Sequence, residues 1–194
     1  MIRQTDAPVI LASASPRRKE LLEQLGLRFD CLPARLDETL LAGESPLDHV
    51  QRLAEEKGRR IASAHPQAIV ISADTIVLMR DQILGKPADT NEAFRMLKML
   101  SGAFHKVITA FAVTAVEKNI RIVRHVTTDV LFRDLSDEEI WEYIGTGSPM
   151  DKAGAYGIQD IRANLVRRID GCFYNVIGFP VAEFSETWNE LFPA

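Results

Sequence analysis

The stretch Leu11-Ala-Ser-Ala-Ser-Pro-Arg-Arg-Lys-Glu-Leu-Leu22 predicts the start of a helix directly after a strand. The apolar run Val9-Ile-Leu11 is typical of a short buried strand. Ser15 and Pro16 have the pattern of a helix N-cap followed by proline at the first helical position. The leucines that follow supply an apolar face. The predicted order is therefore strand, tight loop and helix.

The first turn of this helix contains three cations, Arg17, Arg18 and Lys19. A helix N-terminus is already positive, so acidic residues are the stabilising choice there. Free backbone N–H groups, the hydroxyls of Ser13 and Ser15 and two guanidinium groups together describe a phosphate site. A solvated basic helix start, paired with glutamates of the same helix, explains the pattern equally well. Spacing alone leaves both interpretations open.

Length, composition and charge limit the class of protein. A chain of 194 residues with 46% hydrophobic content can bury a core, as one domain or as two small lobes. The net charge of -4 argues against a nucleic-acid partner, which would need a broad basic face. No apolar run approaches the roughly 18 residues of a membrane span, so we expect a soluble protein without a membrane partner. Cys31 and Cys172 lack metal-ligand spacing and are predicted to be reduced and mostly buried, as in a cytoplasmic protein.

Two charged residues interrupt segments that otherwise look buried. Ser45-Pro46 predicts a helix to about Ala64, and its apolar stripe places Lys57 on the inward face. Such a lysine either extends to the rim or is held in a cleft by an acid or a phosphate. Asp74 separates two apolar runs, so it is either an N–H acceptor at a bulge or a working carboxylate at a strand end. We prefer the second interpretation for Asp74.

Three loops add further candidates. Asp37 and Glu38 follow a predicted strand, although most loop carboxylates are simply solvated. Lys86 lies in a proline-stiffened loop and, taken alone, is best explained as an exposed lysine. Small residues surround a tyrosine in Asp151-Lys-Ala-Gly-Ala-Tyr-Gly-Ile-Gln159, as in a loop whose backbone approaches something closely. Its last residue offers a donor and an acceptor to a base edge, or bonds to its own backbone in a turn.

The remaining elements are predicted from caps and apolar patterns. They are a strand at Phe29–Leu32, a helix capped by Asp89-Thr90, a hairpin of Phe104–Glu117 with Ile120–Arg133, a helix after Ser136 with Ile140, Trp141 and Ile144 inward, a hairpin strand at Ile169–Ile177, and a last helix with Val181, Phe184, Trp188 and Leu191 inward.

The charged residues together are the parts needed for metal-assisted phosphoryl chemistry. Cations hold phosphate oxygens, a pair of carboxylates holds a divalent ion, and a carboxylate or metal-bound hydroxide delivers water to phosphorus. The set contains no histidine, so the expected cofactor is a hard divalent cation, Mg²⁺ or Mn²⁺.

The chain resembles the Maf family of nucleoside triphosphate pyrophosphatases, also called septum formation inhibitor proteins. The resemblance rests on Ser13-Ala-Ser-Pro-Arg-Arg18, Glu38, Lys57, Ser72-Ala-Asp-Thr75, Gly85-Lys-Pro87 and Asp151–Gln159, which stand in the family's order. It implies hydrolysis of a nucleoside triphosphate to the monophosphate and pyrophosphate with a divalent metal. It also implies an α/β fold with an elongated mixed sheet flanked by helices, similar to inosine triphosphatase. Residues 1–194 would form a single domain without a linker, with two lobes and a central cleft.

The resemblance assigns roles to individual residues. Asp74 matches the proton acceptor that activates water, and Glu38 joins it as a metal-holding acid. The form of the loop that ends at Gln159 is that of the subgroup acting on dTTP and UTP. Asp160 departs from this subgroup, which often has glycine there, and an added acid could alter the loop shape or the metal affinity. The phosphate-binding set is Ser13, Arg17, Arg18, Lys57 and Lys86, and the positions associated with base selection are Arg17, Thr75 and Gln159.

Three further possibilities stay open at the level of sequence. The substrate could be 7-methyl-GTP or another modified nucleotide instead of dTTP and UTP. The chain could also be a nucleotide-binding regulator of septum formation that binds without catalysis, although the acids favour catalysis. Two long strands and apolar terminal helices would be compatible with a homodimer.

Overall fold

A computed structural model describes residues 2–193 and shows alternating strands and helices. The strands are β1 (Val9–Leu11), β2 (Asp30–Cys31), β3 (Ile69–Met79), β4 (Gln82–Leu84), β5 (Phe104–Ala115), β6 (Ile120–Phe132) and β7 (Val166–Asp170). The helices are α1 (Pro16–Gln24), α2 (Pro46–Ala64), α3 (Thr90–Leu100), α4 (Asp137–Gly145), α5 (Phe173–Ile177) and α6 (Val181–Leu191).

The strands of residues 2–193 form one seven-stranded sheet in the order β2-β1-β3-β5-β6-β7, with β4 paired to β3. Strand β1 runs parallel to both β2 and β3, whereas β4 is antiparallel to β3 and β7 is antiparallel to β6. A mixed sheet with flanking helices confirms the predicted α/β class. The same residues contain no helix that is both long and apolar enough to cross a lipid bilayer.

The described chain divides into two compact units. The first unit takes Met1–Asp74, Thr109–Val126 and Gly178–Ala194, and the second takes Thr75–Ile108 and Thr127–Ile177. The division inside β3 therefore falls between Asp74 and Thr75.

In the first unit, helix α2 packs its apolar stripe over the parallel strands. Ser45 caps α2 by accepting a hydrogen bond from the Asp48 N–H, and Pro46 is its first residue, as predicted. Ile61 and Ala62 join a buried cluster with residues of β1 and β3. Helix α6 closes this unit with fully buried Phe184 and Trp188, confirming the inward positions predicted for these two aromatic residues.

In the second unit, helices α3 and α4 share one apolar cluster with β5 and β6. Asp89 caps α3, and Ser136 with Glu139 forms the predicted capping box at α4. The inward position predicted for Trp141 is wrong, because its ring is 45% exposed and stacks on Phe94 at 4.8 Å between centroids. Tyr143 is buried in its place.

The hairpin strand predicted at Ile169–Ile177 is correct for Ile169 and Asp170, which pair with β6, and wrong for the residues after them. Strand β7 ends at Asp170, and Gly171 turns the chain at a φ of 129°, in a region that favours glycine. Helix α5 follows, and Asn175 in it donates hydrogen bonds of 3.0 Å to the Val107 carbonyl and the Thr128 hydroxyl. These distant contacts favour a helix over an extended strand.

Three shorter predictions were partly wrong. The strand predicted at Phe29–Leu32 is shorter, Asp30–Cys31, and the loop predicted around Lys86 follows directly on the strand β4 (Gln82–Leu84), which was not predicted. Both cysteines are free, but Cys31 is exposed and not buried, because it lies on this short two-residue strand.

A buried histidine joins the start of β5 to the tyrosine of the small-residue loop. His105 is 2% exposed, and its Nε2 lies 2.8 Å from the Tyr156 hydroxyl oxygen. Within residues 2–193, its Nδ1 has no hydrogen-bond partner. Burial lowers the pKa of His105 from 6.5 to about 4, against a weaker opposing effect of Asp129. The second unit therefore holds a neutral imidazole.

We expect this histidine to weaken the folded state in acid. The unfolded chain binds the His105 proton near pH 6.5 and the folded chain only near pH 4, so stability falls as pH is lowered through that interval. The loss is on the order of 3 kcal/mol at pH 4 and below. Urea unfolding gives the free energy of unfolding of the unmodified chain and of His105→Phe at each pH between 7 and 4. The loss of stability due to His105 is the difference between the two curves of free energy against pH.

The control for this experiment is His125→Gln, which changes an exposed histidine. Parallel stability curves for His105→Phe and the unmodified chain across the whole pH range would contradict the assignment.

Candidate functional site

The N-terminus of α1 has the predicted cap and the predicted concentration of positive charge. The Ser15 hydroxyl accepts a hydrogen bond from the Arg18 N–H at 3.5 Å, and the first turn contains no acid. Ser13, which is buried, accepts from the Ser15 N–H at 3.2 Å. The loop between β1 and α1 is thus shaped by its own serine hydroxyls.

Arg18 connects this loop to strand β3. Its Nη1 donates to the Ser13 hydroxyl at 3.2 Å and to the Ala73 carbonyl at 2.8 Å, and its Nε donates to the Gly178 carbonyl at 2.9 Å. Burial lowers the pKa of Arg18 from its ordinary value, and the carboxylate of Asp74 opposes this effect. Since the Ala73 carbonyl is the neighbour of Asp74 in the chain, Arg18 places the helix start beside that acid.

Lys57 forms ion pairs with both candidate acids of the site. Its Nζ lies 2.6 Å from Asp74 Oδ1 and 2.6 Å from Glu38 Oε1. Lys57 and Asp74 are each only 8% exposed, whereas the Glu38 side chain is 56% exposed. The predicted inward position of Lys57, held by an acid, is confirmed. The structure thus brings together two acids and one cation from three different segments.

The predicted location of Asp74 at a strand end is wrong. Asp74 lies in the middle of β3, which continues from Ile69 to Met79 without a break. A carboxylate is rarely buried inside a strand without a partner. Here the ion pair with Lys57 compensates the charge, so the strand continues past it.

The loop that carries Glu38 is held by an ion-pair network on its C-terminal side. Arg52 binds Glu44 through two bonds, from Nε at 2.5 Å and from Nη2 at 2.9 Å, and its Nη2 also donates to the Thr39 carbonyl at 3.2 Å. Hydrogen bonds from Arg52 lower the pKa of Glu44 to about 2, against the opposing effect of burial. Because Thr39 follows Glu38 directly, this network fixes the backbone beside that acid.

The two neighbouring loop acids have different environments. Asp37 accepts hydrogen bonds from the Thr39 N–H at 3.0 Å and from the Thr39 hydroxyl at 2.5 Å, which lower the pKa of Asp37. This arrangement is that of a turn-forming aspartate. Asp37 therefore shapes the loop, and Glu38 is the acid that reaches Lys57.

Gly58 allows helix α2 to approach β3 closely. A Cβ atom at this position would lie 2.6 Å from the Ser72 hydroxyl oxygen and 3.2 Å from that of Thr114. The Ser72 hydroxyl donates to the Ala54 carbonyl of the same helix at 2.7 Å. Because Gly58 follows Lys57 and Ser72 precedes Asp74 by two residues, this close packing sets the separation of the elements that carry the ion pair.

Arg17 lies in α1 of the first unit, and three further predicted residues belong to the second unit. Thr75 follows Asp74 in β3, Lys86 is exposed after β4, and Gln159 is exposed in the loop before β7. The carbonyl of Gly85 accepts a hydrogen bond from the Gly154 N–H at 3.0 Å. A Cβ atom on Gly154 would lie 3.0 Å from the Val77 side chain. A hydrogen bond therefore joins the loop that contains Lys86 to the loop that contains Tyr156, and the second loop packs against β3.

Glu38 and Asp74 are the carboxylates in the first unit that share a partner close to the cationic helix start. Across residues 2–193, no group of three or more His, Cys, Asp or Glu side chains is arranged to hold a metal. A metal bound by this pair would therefore need further oxygen ligands from water or substrate, which is common for Mg²⁺.

Sequence reasoning missed the residues that support the site. Glu44, Arg52, Gly58 and Ser72 position the acids and Lys57 without being part of the charged cluster. A glycine in the interior of a helix costs about 1 kcal/mol relative to alanine. Gly58 was therefore a sequence signal that helix α2 approaches another element closely.

Comparison with known proteins identifies a matching family model and many similar sequences. Residues 8–191 match the family model described as Maf-like protein. Among the relatives named dTTP/UTP pyrophosphatase, one from Geobacter sp. (strain M21) is 50% identical over 178 residues, 92% of each chain. Another, from Clostridioides difficile (strain 630), is 44% identical over 184 residues, 95% of each chain. A solved HAM1 protein from Coxiella burnetii aligns with a TM-score of 0.50 at 14% identity, covering 95% of this chain and 99% of its own. At that identity the likeness shows the fold alone.

We expect Gly58→Ala to destabilise the first unit although alanine is the better helix former. The new methyl group meets the Ser72 hydroxyl, and such overpacking costs about 1–3 kcal/mol. Removing that hydroxyl relieves the clash, so Gly58→Ala should cost less in a Ser72→Ala background. Urea unfolding of the unmodified chain, the two single variants and the double variant measures the coupling.

Arg59→Ala, on the exposed face of the same helix, is the control and should change stability little. Strictly additive effects of the two substitutions would show that Gly58 and Ser72 do not limit the approach.

Proposed function

Because this chain belongs to the Maf family, shown by the family match over residues 8–191 and by relatives that are 50% and 44% identical, we propose that it hydrolyses dTTP and UTP to the monophosphate and pyrophosphate. The names of the relatives support this substrate class. The reaction breaks the phosphoanhydride bond between the α- and β-phosphates. Water supplies the new oxygen on phosphorus, and pyrophosphate leaves.

The observation that carries the proposal is the position of Asp74. Its carboxylate is buried, is oriented by Lys57 at 2.6 Å and lies next to the carbonyl that binds Arg18. A buried acid held by hydrogen bonds at a cationic helix start is suited to accept a proton from water beside a bound phosphate. In the proposed reaction, Asp74 takes one proton as the water oxygen bonds to phosphorus.

The cations would bind and orient the triphosphate. Arg17 and Arg18 lie in the first turn of α1, where the backbone N–H groups and the helix dipole also favour an anion. Ser13 shapes this loop, and Lys57 adds positive charge next to Asp74. Lys86 completes the proposed phosphate-binding set on the basis of the family motif. Fixing the phosphates in this way holds the scissile bond in a reactive orientation.

We assign Glu38 and Asp74 as the protein ligands of a divalent cation, Mg²⁺ or Mn²⁺. Two carboxylates that share one ammonium group offer hard oxygen donors and net negative charge, so this donor set fits such a cation. When bound, the cation would neutralise charge on the phosphate oxygens and favour departure of pyrophosphate. The exposed Glu38 side chain leaves its carboxylate accessible from solvent.

Base selection is assigned to Arg17, Thr75 and Gln159. Thymine and uracil both present an N–H donor next to a carbonyl acceptor, and the amide of Gln159 offers the complementary acceptor and donor. Cytosine has an amino group in place of that carbonyl, so the same amide orientation cannot satisfy it. This chemistry explains why one glutamine suits both dTTP and UTP.

The first test is pyrophosphate release from dTTP, UTP, CTP, GTP and 7-methyl-GTP, with Mg²⁺ or Mn²⁺ and with a chelator. We expect rapid cleavage of dTTP and UTP that stops on chelation and returns when the metal is restored. Cleavage of 7-methyl-GTP alone would support the proposed reaction but contradict the proposed selection of thymine and uracil. Tight binding of triphosphates without pyrophosphate release would instead favour a regulator of septum formation.

Asp74→Asn should lower kcat by at least about 100-fold, because an amide oxygen does not accept the proton from water. The variant should still bind dTTP, since Arg17, Arg18 and Lys57 are retained. Steady-state kinetics and calorimetric binding measure the two properties separately. Asp30→Asn, which changes an exposed acid of β2, is the matched control, and full turnover by Asp74→Asn would disprove the assignment of Asp74.

A further inference from the structure

A tight turn presents Gln159 to solvent. The Asp160 N–H donates to the Gly157 carbonyl at 3.1 Å, which closes a β-turn over Gly157, Ile158, Gln159 and Asp160. Gln159 is exposed and borders a cavity of about 650 Å³ in the second unit, where it is accessible to a ligand. The orientation of this side chain therefore depends on what holds the turn.

One phenol group holds both ends of the turn. The Tyr143 hydroxyl donates to the Asp160 carboxylate and accepts a hydrogen bond from the Gly157 N–H at 3.1 Å. Tyr143 is 5% exposed in helix α4. Burial and the neighbouring Asp160 raise the pKa of Tyr143 above its ordinary value, so the hydroxyl keeps the proton that it donates. The turn is thus fixed to a buried side chain of a regular helix.

A second chain of hydrogen bonds ends on the same carboxylate oxygen. The Ser148 hydroxyl donates to Asp160 Oδ2 at 2.8 Å. Lys152 Nζ in turn donates to the Ser148 hydroxyl at 3.0 Å. Asp160 therefore accepts from two hydroxyl groups, one of which is polarised by an ammonium group. Hydrogen bonds to a charged acceptor are among the stronger ones in proteins.

The turn also depends on the absence of a side chain at Gly157. A Cβ atom there would lie 2.9 Å from Asp160 Oδ2 and 2.8 Å from Lys152 Cε. The Asp160 carboxylate thus occupies the space directly over Gly157. This close fit leaves the carboxylate little freedom to move.

We propose that Asp160 is a positioning residue for base recognition, holding the turn so that the Gln159 amide is oriented toward a pyrimidine base before the nucleotide binds. The inference rests on the proposed function, because it takes Gln159 as the residue that selects the base. An exposed glutamine on a loose loop would lose conformational entropy on binding. A turn fixed at both ends removes part of that cost, which improves affinity without changing the reacting groups.

The experiment compares Asp160→Ala with Asp160→Asn. The alanine variant loses the acceptor of both hydroxyl groups, and we expect the KM for dTTP and UTP to rise about tenfold while kcat stays within about twofold, a loss of roughly 1.4 kcal/mol in binding. An asparagine oxygen still accepts from Tyr143 and Ser148, so Asp160→Asn should keep most of the affinity. Asp170→Ala, an exposed acid of the same unit, is the control.

A second arm tests whether the effect passes through Gln159. In a Gln159→Ala background, Asp160→Ala should cause no further rise in KM, because no amide remains to be oriented. An equal rise in both backgrounds would show that Asp160 acts elsewhere and would overturn the proposal. Thermal unfolding checks each variant, and Ser148→Ala, which removes a single donor, replaces Asp160→Ala if the latter does not fold. Its expected result is a smaller rise in KM.

Two outcomes separate this inference from the proposed function. An active Asp160→Ala variant with unchanged KM for dTTP and UTP overturns only the proposed role of Asp160 and leaves the proposed function standing. Absence of pyrophosphate release by the unmodified chain, with any nucleotide and either metal, overturns the proposed function and this inference with it.

Discussion

The ion pair of Lys57 with Asp74 and Glu38 is the constraint on which the first unit depends. A lysine and an aspartate that are each 8% exposed would be strongly destabilising if either lacked its partner. Their 2.6 Å contact joins helix α2 to strand β3, and the second contact with Glu38 attaches the loop between β2 and α2. Helix, strand and loop are therefore held by one ammonium group, and the acids proposed for catalysis and metal binding are the same groups that satisfy it.

The second unit holds its small-residue loop through hydrogen bonds of tyrosine hydroxyl groups. Its small-residue loop is anchored by two buried tyrosines, with Tyr156 bonded to His105 and Tyr143 bonded to the turn that carries Gln159. Each unit also carries a proposed functional side chain on a loop, Glu38 in the first unit and Gln159 in the second. A regular element fixes each segment through hydrogen bonds, which limits the motion of the functional groups.

Local signals in the sequence were accurate where the stabilising interaction is local. Helix starts at Ser15, Ser45, Asp89 and Ser136 were predicted correctly, because a cap is a contact between residues three apart. The strand predicted at Ile169–Ile177 is wrong after Asp170, where Asn175 bonds to Val107 and Thr128, which are distant in the chain. Asp74 was placed at a strand end since its partner Lys57, 17 residues earlier, could not be assigned from spacing.

The sequence by itself determined the α/β class, the cationic start of α1, the inward face of Lys57 and the family to which the chain belongs, because caps, periodicity and motifs are properties of neighbouring residues. Only the tertiary structure decided that Glu38 and not Asp37 reaches Lys57, that Arg52 and Glu44 hold the Glu38 loop, and that Gly58 limits the approach of α2 to β3. It also decided that Tyr143 and Asp160 fix the turn at Gln159. Each of these depends on the distance between atoms of separate segments, and packing of the folded chain sets those distances.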